Sequence, residues 1–448
     1  MLQAGLIDAP SDLSRVHLGD FRLNRRAQSI SRALQGRPSE SCPRAFSNEA
    51  AVEAFYRFMA NDRVRWESII GAHASATHDR ALESGRILAL HDSSLFQFGG
   101  DAVRAGAFRT AKGKSGFLGH TCIAVSADGA RQPLGLLGMI PVVRLKGDAA
   151  EASPGAVYGC ESDRWIDLVG DVEESVPDAV DIVHVMDSEG DAYDLLEYMV
   201  QLEADFVVRL CHDRRVVTSD GRQKLSAALP KATTRLTREV PLSARKGTKT
   251  TGRHASRDER TASLKVRVLK AGLLRPAASD AQLAGLAVHI VHVVEPDPPQ
   301  GEEPVSWQLA TRLPVETEED VAAVVDAYRA RWLIEEWFKS LKTGCAYQQR
   351  QLESLDALLV AFALLAPVAT RLLAVRWLGR NDPDRPARDV LGADEIACLR
   401  VLEKQKRRRL PKNPTVGEVL LAIARLGGFL TVFSPGLWWG ACAWRGMG

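Results

Sequence analysis

Short apolar runs that end in polar clusters place the strongest limit on how this 448-residue chain can fold. Residues 87–90 (ILAL) lead into a polar cluster at 91–94 (HDSS) that contains Asp92, which predicts a buried strand followed by a polar turn. Residues 182–186 (IVHVM) repeat this pattern and are followed by Asp187. Two carboxylates are therefore expected at the ends of two different buried strands.

Three more strands and two helices are predicted around these runs. The strands cover residues 120–125, 134–140 and 206–210, and the helices cover residues 163–176 and 192–202. Asp128-Gly129 provides a hairpin turn between the first two of these strands. Three strands in a meander, followed by alternating helix and strand, predict an α/β fold with a mixed five-stranded sheet.

The regions on either side of this sheet predict further domains. Helical spacing indicates a helical N-terminal domain at residues 1–70 and a helical C-terminal domain at residues 371–448. The core between them, residues 71–370, is expected to contain a β-rich insertion at about 212–312, where short strand patterns alternate with loops rich in Pro and Gly.

Composition excludes several classes of protein. A chain that is 46% hydrophobic and 25% charged is neither disordered nor fibrous. The longest apolar run, residues 358–369, is shorter than the roughly 18–20 residues of a membrane span, and residues 1–10 lack the basic start of a signal peptide. The seven cysteines have no paired spacing, which argues against a disulfide scaffold and a zinc site and favours a reducing cytoplasm.

The charge of the chain is distributed unevenly. The net charge is +2, yet residues 205–275 carry 18 Lys or Arg against 6 Asp or Glu, a local net charge of +12 that leaves −10 for the rest. A loop in this stretch contains Arg245, Lys246 and Lys249, and a second basic run covers residues 404–409. Either run alone fits a solvated surface as well as it fits a binding site. The presence of two such runs favours a polyanionic partner such as nucleic acid.

Residues 321–344 have the spacing of one amphipathic helix that ends at Gly344. At 100° per residue, four side chains fall within about 60° of arc. These are Tyr328, Arg331, Glu335 and Lys342. Taken alone, the stripe is compatible with a surface ion pair of little energetic weight.

Asp92, Asp187 and Glu335 together change the interpretation of that stripe. They are three hard oxygen donors on separate elements, and such a set can hold two divalent cations with room for phosphate oxygens. Arg331 and Lys342 would then bind the backbone of a cleaved nucleic acid strand.

The same residues carry a resemblance to a known family. The spacing Tyr328-x2-Arg331-x3-Glu335-x6-Lys342 resembles the YREK signature of cut-and-paste DDE transposases from bacterial insertion sequences. The string YRARWLIEEWFKSLKTG resembles especially the Tn-five-type transposases of the insertion-sequence-four family. The strings HDSSL, VMDSEGDAYDLL, PVSWQLATRLPVE, LGDFRLNRR, AFYRF, IARLGGF and WWGACAW resemble other segments of the family in the same order of domains, so the resemblance spans roughly residues 15–445.

The resemblance implies an RNase H-like catalytic core. Asp92, Asp187 and Glu335 would be the catalytic triad and would bind two Mg²⁺ ions per site, with Mn²⁺ as a substitute. Water would cut one strand, the freed 3′-OH would form a hairpin, a second water would open it, and the 3′-OH would join target DNA. The implied partners are double-stranded DNA, both terminal repeats and target, and a second copy of the chain in a synaptic dimer.

The resemblance also implies DNA contacts. Tyr328, Arg331 and Lys342 would contact phosphates near the cleaved end, and Trp307 would stack on a flipped base, unless it is simply a half-buried strand residue. Further DNA contacts are expected from Lys339, Arg245, Lys246, Lys249, Arg22, Arg25 and Arg26. The chain ends soon after its Trp-rich segment, so the dimer contact is expected to be shorter than in the best-known member or to form elsewhere. The expected location is the bacterial cytoplasm, on the nucleoid when bound to DNA.

Several alternatives remain open at this point. Asp191 and Glu189 compete with Asp187 as the second metal ligand, whereas His91 and His184 are expected to have packing roles. Ser93 and Ser94 are weaker candidates for contacts with DNA or metal-bound water. Rival functions are an immobile or domesticated RNase H-like endonuclease and a DNA-binding inhibitor of transposition. A sugar hydrolase with paired carboxylates would not account for the basic loop.

Overall fold

The computed structural model describes residues 7–99, 104–109, 114–143, 163–242, 258–277, 279 and 281–426. The described residues form two compact units. The first unit contains residues up to 181 and from 333 to 430, and the second contains residues 182–332. The chain therefore leaves the first unit at the start of one strand and returns to it within one helix.

Five helices open the first unit. They are α1 (Ala9–Asp12), α2 (Phe21–Gly36), α3 (Cys42–Ala45), α4 (Glu49–Met59) and α5 (Trp66–Ser84). The side chain of Asp20 accepts a hydrogen bond from the Arg22 amide at the start of α2, and Asn48 does the same for the Ala51 amide in α4. These caps fix the helix starts, and most of residues 9–84 is helical.

Four strands and a helix follow in the first unit. They are β1 (Arg86–Phe98), β2 (Phe108–Arg109), β3 (Ser115–Ser126), β4 (Pro133–Val142) and α6 (Asp163–Ser175). β3 pairs antiparallel with both β1 and β4, and Gly129 has φ +82° in the turn between β3 and β4. The meander and its hairpin turn are confirmed.

The predicted end of β1 is wrong. The strand does not turn at the polar cluster but runs on to Phe98, and Asp92 lies opposite Thr121 within the sheet. Phe96 and Phe98 are fully buried, so the segment beyond Asp92 gains apolar burial by continuing the ladder. Asp92 is therefore a residue of the strand itself rather than of a turn.

The second unit is rich in strands. In chain order its elements are β5 (Asp181–Met186), α7 (Tyr193–Gln201), β6 (Asp205–Leu210), β7 (Arg215–Thr218), β8 (Gly221–Lys224), α8 (Leu225–Ala228), β9 (Thr233–Leu242), β10 (Arg260–Leu274), β11 (Gly285–Val294), β12 (Ser306–Thr311) and α9 (Glu318–Ala330). The order in its sheet is β5-β6-β12-β11-β10-β7-β8, and β9 also pairs with β10. β5 and β6 are parallel, whereas β12 pairs antiparallel with β6.

The chain then returns to the first unit. Its elements there are α10 (Trp332–Lys339), a π-helical turn (Ser340–Gly344), α11 (Leu355–Asn381), α12 (Ala393–Gln405) and α13 (Val416–Leu426). Of the described helices, α11 alone is long and apolar enough to cross a membrane, yet 83% of its most apolar window is buried inside the protein. It is thus a core helix of the first unit.

The single helix predicted for residues 321–344 is also wrong. α9 ends at Ala330 and α10 begins at Trp332. Arg331 between them keeps a right-handed helical backbone, with φ −48° and ψ −35°, but its amide donates to the Tyr328 carbonyl three residues back, over 3.1 Å. The Cys345 amide donates to the Ser340 carbonyl over 2.8 Å, the bond of a π-helix, and Gly344 lies within this turn rather than capping a helix. A constant 100° per residue therefore does not relate the four residues of the predicted stripe.

The basic loop with Arg245, Lys246 and Lys249 lies outside the described residues, as does the Trp-rich segment at 438–444. The domain limits expected near residues 70, 212, 312 and 370 stay predictions.

Candidate active site

In the first unit, Asp92 lies on the face of β1 that also carries Ser94 and Phe96, because side chains alternate along a strand. Its carboxylate is half-buried. The Ser93 amide donates to Asp92 Oδ1 over 2.7 Å, which helps to orient the carboxylate. A partly exposed acid is thus held on a rigid, internal part of the sheet.

Lys342 lies next to this carboxylate. Its Nζ donates to Ser94 Oγ over 2.6 Å and lies 5.1 Å from the centroid of the Phe96 ring, a cation–π contact. Burial lowers the pKa of the Lys342 ammonium, and the negative charge of Asp92 acts in the opposite direction. The structure therefore brings Lys342 and Asp92 together, although 250 positions separate them in the chain.

Glu335 is half-buried on α10, and two neighbouring residues fix that helix against α11. Trp337 Nε1 donates to Thr370 Oγ1 over 2.9 Å. The buried carboxylate of Glu336 lies 3.6 Å from Arg376 and 3.5 Å from Arg380. Two successive glutamates therefore differ in kind: one is a buried anchor, and the other lies on the more accessible side of the helix.

In the second unit, Asp187 follows β5 and is half-buried. Its Oδ1 accepts a hydrogen bond from the Glu189 amide over 2.9 Å and caps a short helical turn, while Glu189 itself is exposed. Asp191 is buried and already bound, because it accepts from the Arg214 guanidinium and from the amides of Cys211 and His212. These contacts favour Asp187 over Asp191 as a metal ligand.

The described residues contain a group of potential metal ligands that the sequence did not suggest. Asp191, Cys211 and His212 have ligand atoms within 4.8 Å of one another. However, the buried guanidinium of Arg214 forms an ion pair with the same carboxylate, so a cation there would have to displace it. We therefore assign this group a structural role.

Trp307 and Tyr328 pack against each other in the second unit. Their ring centroids are 5.3 Å apart, and their side chains are 4% and 6% exposed. Trp307 lies on β12 opposite Val293 of β11, and Tyr328 lies near the end of α9. Because both rings are buried, a direct contact with DNA would require them to move out of this packing.

The other residues assigned to DNA contacts are more accessible. Lys339 is exposed at the end of α10, and Arg331 is half-buried in the turn between α9 and α10. Three arginines near the start of α2 are exposed; these are Arg22, Arg25 and Arg26. The Arg25 guanidinium lies 5.6 Å from the ring of Phe21, which is itself 70% exposed.

A polar cluster on the opposite face of β1 was not found from the sequence. Ser93 Oγ lies 3.0 Å from His120 Nδ1 and accepts a hydrogen bond from Arg164 Nε over 3.3 Å. His120 is fully buried and packs on Trp165, with ring centroids 4.2 Å apart. Only the proximity of Ser93 to Asp92 pointed to this region. His91 and His184 are also fully buried on their strands, as packing roles require.

Comparisons with known proteins bear on the chemistry of these residues. Residues 9–64 match the family model described as transposase DNA-binding, and residues 162–370 match the transposase DDE domain. A cryo-EM structure of the piggyBac transposase synaptic complex with hairpin DNA is similar over 98% of this chain and 81% of that chain, with 8% sequence identity and a TM-score of 0.34. The mixed α/β architecture is consistent with an RNase H-like transposase fold. The two family matches, one at the N-terminus and one over a range that contains Asp187 and Glu335, support a DDE transposase.

Proposed function

We propose that this chain is a cut-and-paste transposase of the insertion-sequence type with a YREK signature, and that Asp92, Asp187 and Glu335 form its catalytic triad. The observation that carries the proposal is the match of residues 162–370 to the transposase DDE domain, since that range contains Asp187 and Glu335. Residues 9–64, which match a transposase DNA-binding domain, would bind the DNA.

The three carboxylates suit a divalent metal. All three are half-buried, and they offer oxygen alone, the donor that Mg²⁺ and Mn²⁺ prefer. Two bound ions would activate the attacking hydroxyl and stabilise the leaving oxygen. The requirement for Mg²⁺, and the joining of Asp187 to the other two acids in one site, are parts of the proposal.

Lys342 would neutralise a phosphate oxygen next to Asp92. Its ammonium is held by Ser94 and by the Phe96 ring, so little side-chain freedom remains to be lost when DNA binds. Further phosphates, away from the reacting atoms, would be contacted by Lys339, Arg331, Arg22, Arg25 and Arg26.

Trp307 would stack on a base flipped out of the duplex during hairpin formation. Because it is packed against Tyr328 in this structure, its use requires a rearrangement that DNA binding would drive. The remaining parts of the proposal are strand transfer into target DNA, a homodimeric synaptic complex and action on the nucleoid in the bacterial cytoplasm.

The decisive test compares two neighbouring acids. Purified protein is incubated with Mg²⁺ and a duplex that carries the DNA flanking the reading frame, and strand cleavage is measured for the wild type, Asp187→Asn and Glu189→Gln. The proposal expects Asp187→Asn to abolish cleavage and Glu189→Gln, which alters an exposed acid two residues away, to retain it. Full cleavage by Asp187→Asn would refute the triad.

The rival functions give different products in the same assay. An immobile or domesticated endonuclease would cleave the flanking duplex without joining its 3′-OH ends to a target plasmid. A DNA-binding inhibitor would bind the duplex and leave it intact with either Mg²⁺ or Mn²⁺.

A further inference from the structure

Arg350 is a buried arginine that connects two distant segments of the first unit. Arg350 is only 3% exposed. Nη2 donates to the carbonyls of Pro38 and Cys345 over 2.7 and 2.8 Å, and Nη1 donates to the carbonyl of Glu40. Nη1 also lies 3.6 Å from Cys42 Sγ.

The two segments have different roles in the proposed function. Pro38 and Glu40 belong to the loop after α2 and Cys42 begins α3, all within the range that matches the transposase DNA-binding domain. Cys345 closes the π-helical turn that carries Lys342, because its amide donates to the Ser340 carbonyl. One guanidinium thus bonds to the DNA-binding region and to the turn beside the catalytic acid Asp92.

The turn depends on external support for its geometry. Directly after Cys345, Ala346 has φ +47°, a left-handed conformation that is uncommon for a residue other than Gly. A π-helical turn is also less favourable than an α-helical one and persists where the surroundings hold it. The charge-assisted hydrogen bond from Arg350 to the Cys345 carbonyl supplies such support.

We propose that Arg350 is a positioning residue that makes the placement of Lys342 depend on the N-terminal DNA-binding domain. The inference rests on the proposed transposase function. The planar guanidinium suits this role because its donors diverge at fixed angles and bond to both segments at once. The bonds to Pro38 and Glu40 thus hold the guanidinium that supports the turn from which Lys342 reaches Ser94.

Arg104 provides a matched control. It is buried to a similar extent, 5% exposed, and its guanidinium also donates to two backbone carbonyls, those of Gly99 and Leu352, each over 2.8 Å. Neither of these carbonyls lies in the N-terminal domain. Removal of this guanidinium therefore costs stability in a similar way without touching the proposed connection.

The experiment separates binding from cleavage in the full-length protein. The probe is a duplex carrying the DNA that flanks the reading frame, with Mg²⁺, and the proteins are the wild type, Arg350→Met, Arg350→Lys and Arg104→Met. Single-turnover nicking at saturating protein should fall about 10- to 100-fold in both Arg350 variants. The Kd for the duplex should stay within about threefold of the wild type. Arg104→Met should lower the Tm but nick bound DNA at a rate within about threefold of the wild type.

Hydrogen exchange adds a measurement that does not depend on activity. Without DNA, the Cys345 amide should exchange at least about tenfold faster in Arg350→Met than in the wild type. Arg350→Lys keeps the charge and is the variant to use if Arg350→Met does not fold. Unchanged nicking in a folded Arg350 variant, or equal loss of nicking in Arg104→Met, would overturn the inference. Wild-type protein that never cleaves DNA would instead refute the proposed function, and the exchange result would still stand.

Discussion

Two regions that carry the proposed chemistry are built in opposite ways. In the first unit, Asp92 and Lys342 are oriented by short polar contacts to neighbouring groups, and the carboxylate stays partly exposed. In the second unit, Trp307 and Tyr328 are packed on each other and almost completely buried. The first arrangement is preorganised for an ion or a phosphate, whereas the second must change before its aromatic rings meet DNA.

The largest effect is expected for Glu335, and its neighbour Glu336 provides the contrast. Glu335→Gln should reduce DNA cleavage by at least about 1,000-fold with little change in Tm, because it removes the charge of a proposed metal ligand at a half-buried position. Glu336→Gln should instead lower the free energy of unfolding by about 3–5 kcal/mol, since it leaves two arginines without their buried carboxylate. Cleavage rates and urea denaturation are measured for both variants. A loss of stability in Glu335→Gln together with a loss of cleavage in a stable Glu336→Gln would contradict the distinction.

A smaller effect is expected for the lysines. Lys342→Met should slow cleavage by about 100-fold at saturating Mg²⁺, because it removes a fixed positive charge beside Asp92. Lys339→Met alters an exposed lysine on the preceding turn and should change the rate by less than about threefold. Single-turnover cleavage of the flanking duplex measures both. Equal effects would mean that Lys342 contributes only general positive charge.

Trp307 tests whether the aromatic region moves. Trp307→Ala should slow hairpin formation by about tenfold more than first-strand nicking, because the proposed base stacking would act only in the later step. It should also cost about 3–5 kcal/mol of stability, since it empties a buried site beside Tyr328. Nicked and hairpin products are resolved on denaturing gels at a temperature well below the Tm. If both steps slow equally, the side chain has only its packing role.

The sequence predicted most strands of the region around Asp92 and Lys342, but it did not predict the contacts between their side chains. Apolar periodicity located the strands because each run packs locally against its neighbours. It placed the end of β1 too early because the burial of Phe96 and Phe98 depends on tertiary packing. The hydrogen bond from Lys342 to Ser94 joins residues 248 positions apart, and no spacing rule reports such a contact.

The sequence also did not predict the irregularity of the helix at Arg331. The segment YRARW contains neither Gly nor Pro, so propensity alone predicts a continuous helix. The site residues assigned by resemblance stay predictions, whereas the geometry derived from an ideal helix is wrong. Motif spacing therefore nominates residues along the chain but does not describe how the fold holds them.

The smallest expected effect is on the pH dependence of stability, and it tests how tightly the region around Trp307 is packed. His292 lies on β11 and is buried near Arg267 of β10, and burial lowers its pKa to about 4. The folded protein therefore keeps this imidazole neutral, whereas the unfolded chain takes up a proton below its ordinary pKa of about 6.5. The free energy of unfolding should fall as the pH decreases from about 6.5 to about 4 and should lose no more from this group below that range.

The variant His292→Gln removes this part of the pH dependence. Urea denaturation at pH 7 and pH 4.5 should show a smaller difference for His292→Gln than for the wild type, while His212→Gln, a change at an exposed histidine, should behave as the wild type. All three proteins contain the same carboxylates, so the difference between variants isolates the imidazole. The same pH dependence in His292→Gln and the wild type would mean that the strands around Trp307 admit water and protons already in the folded state. The aromatic region would then be looser than its packing indicates, and its contrast with the rigid Asp92 region would weaken.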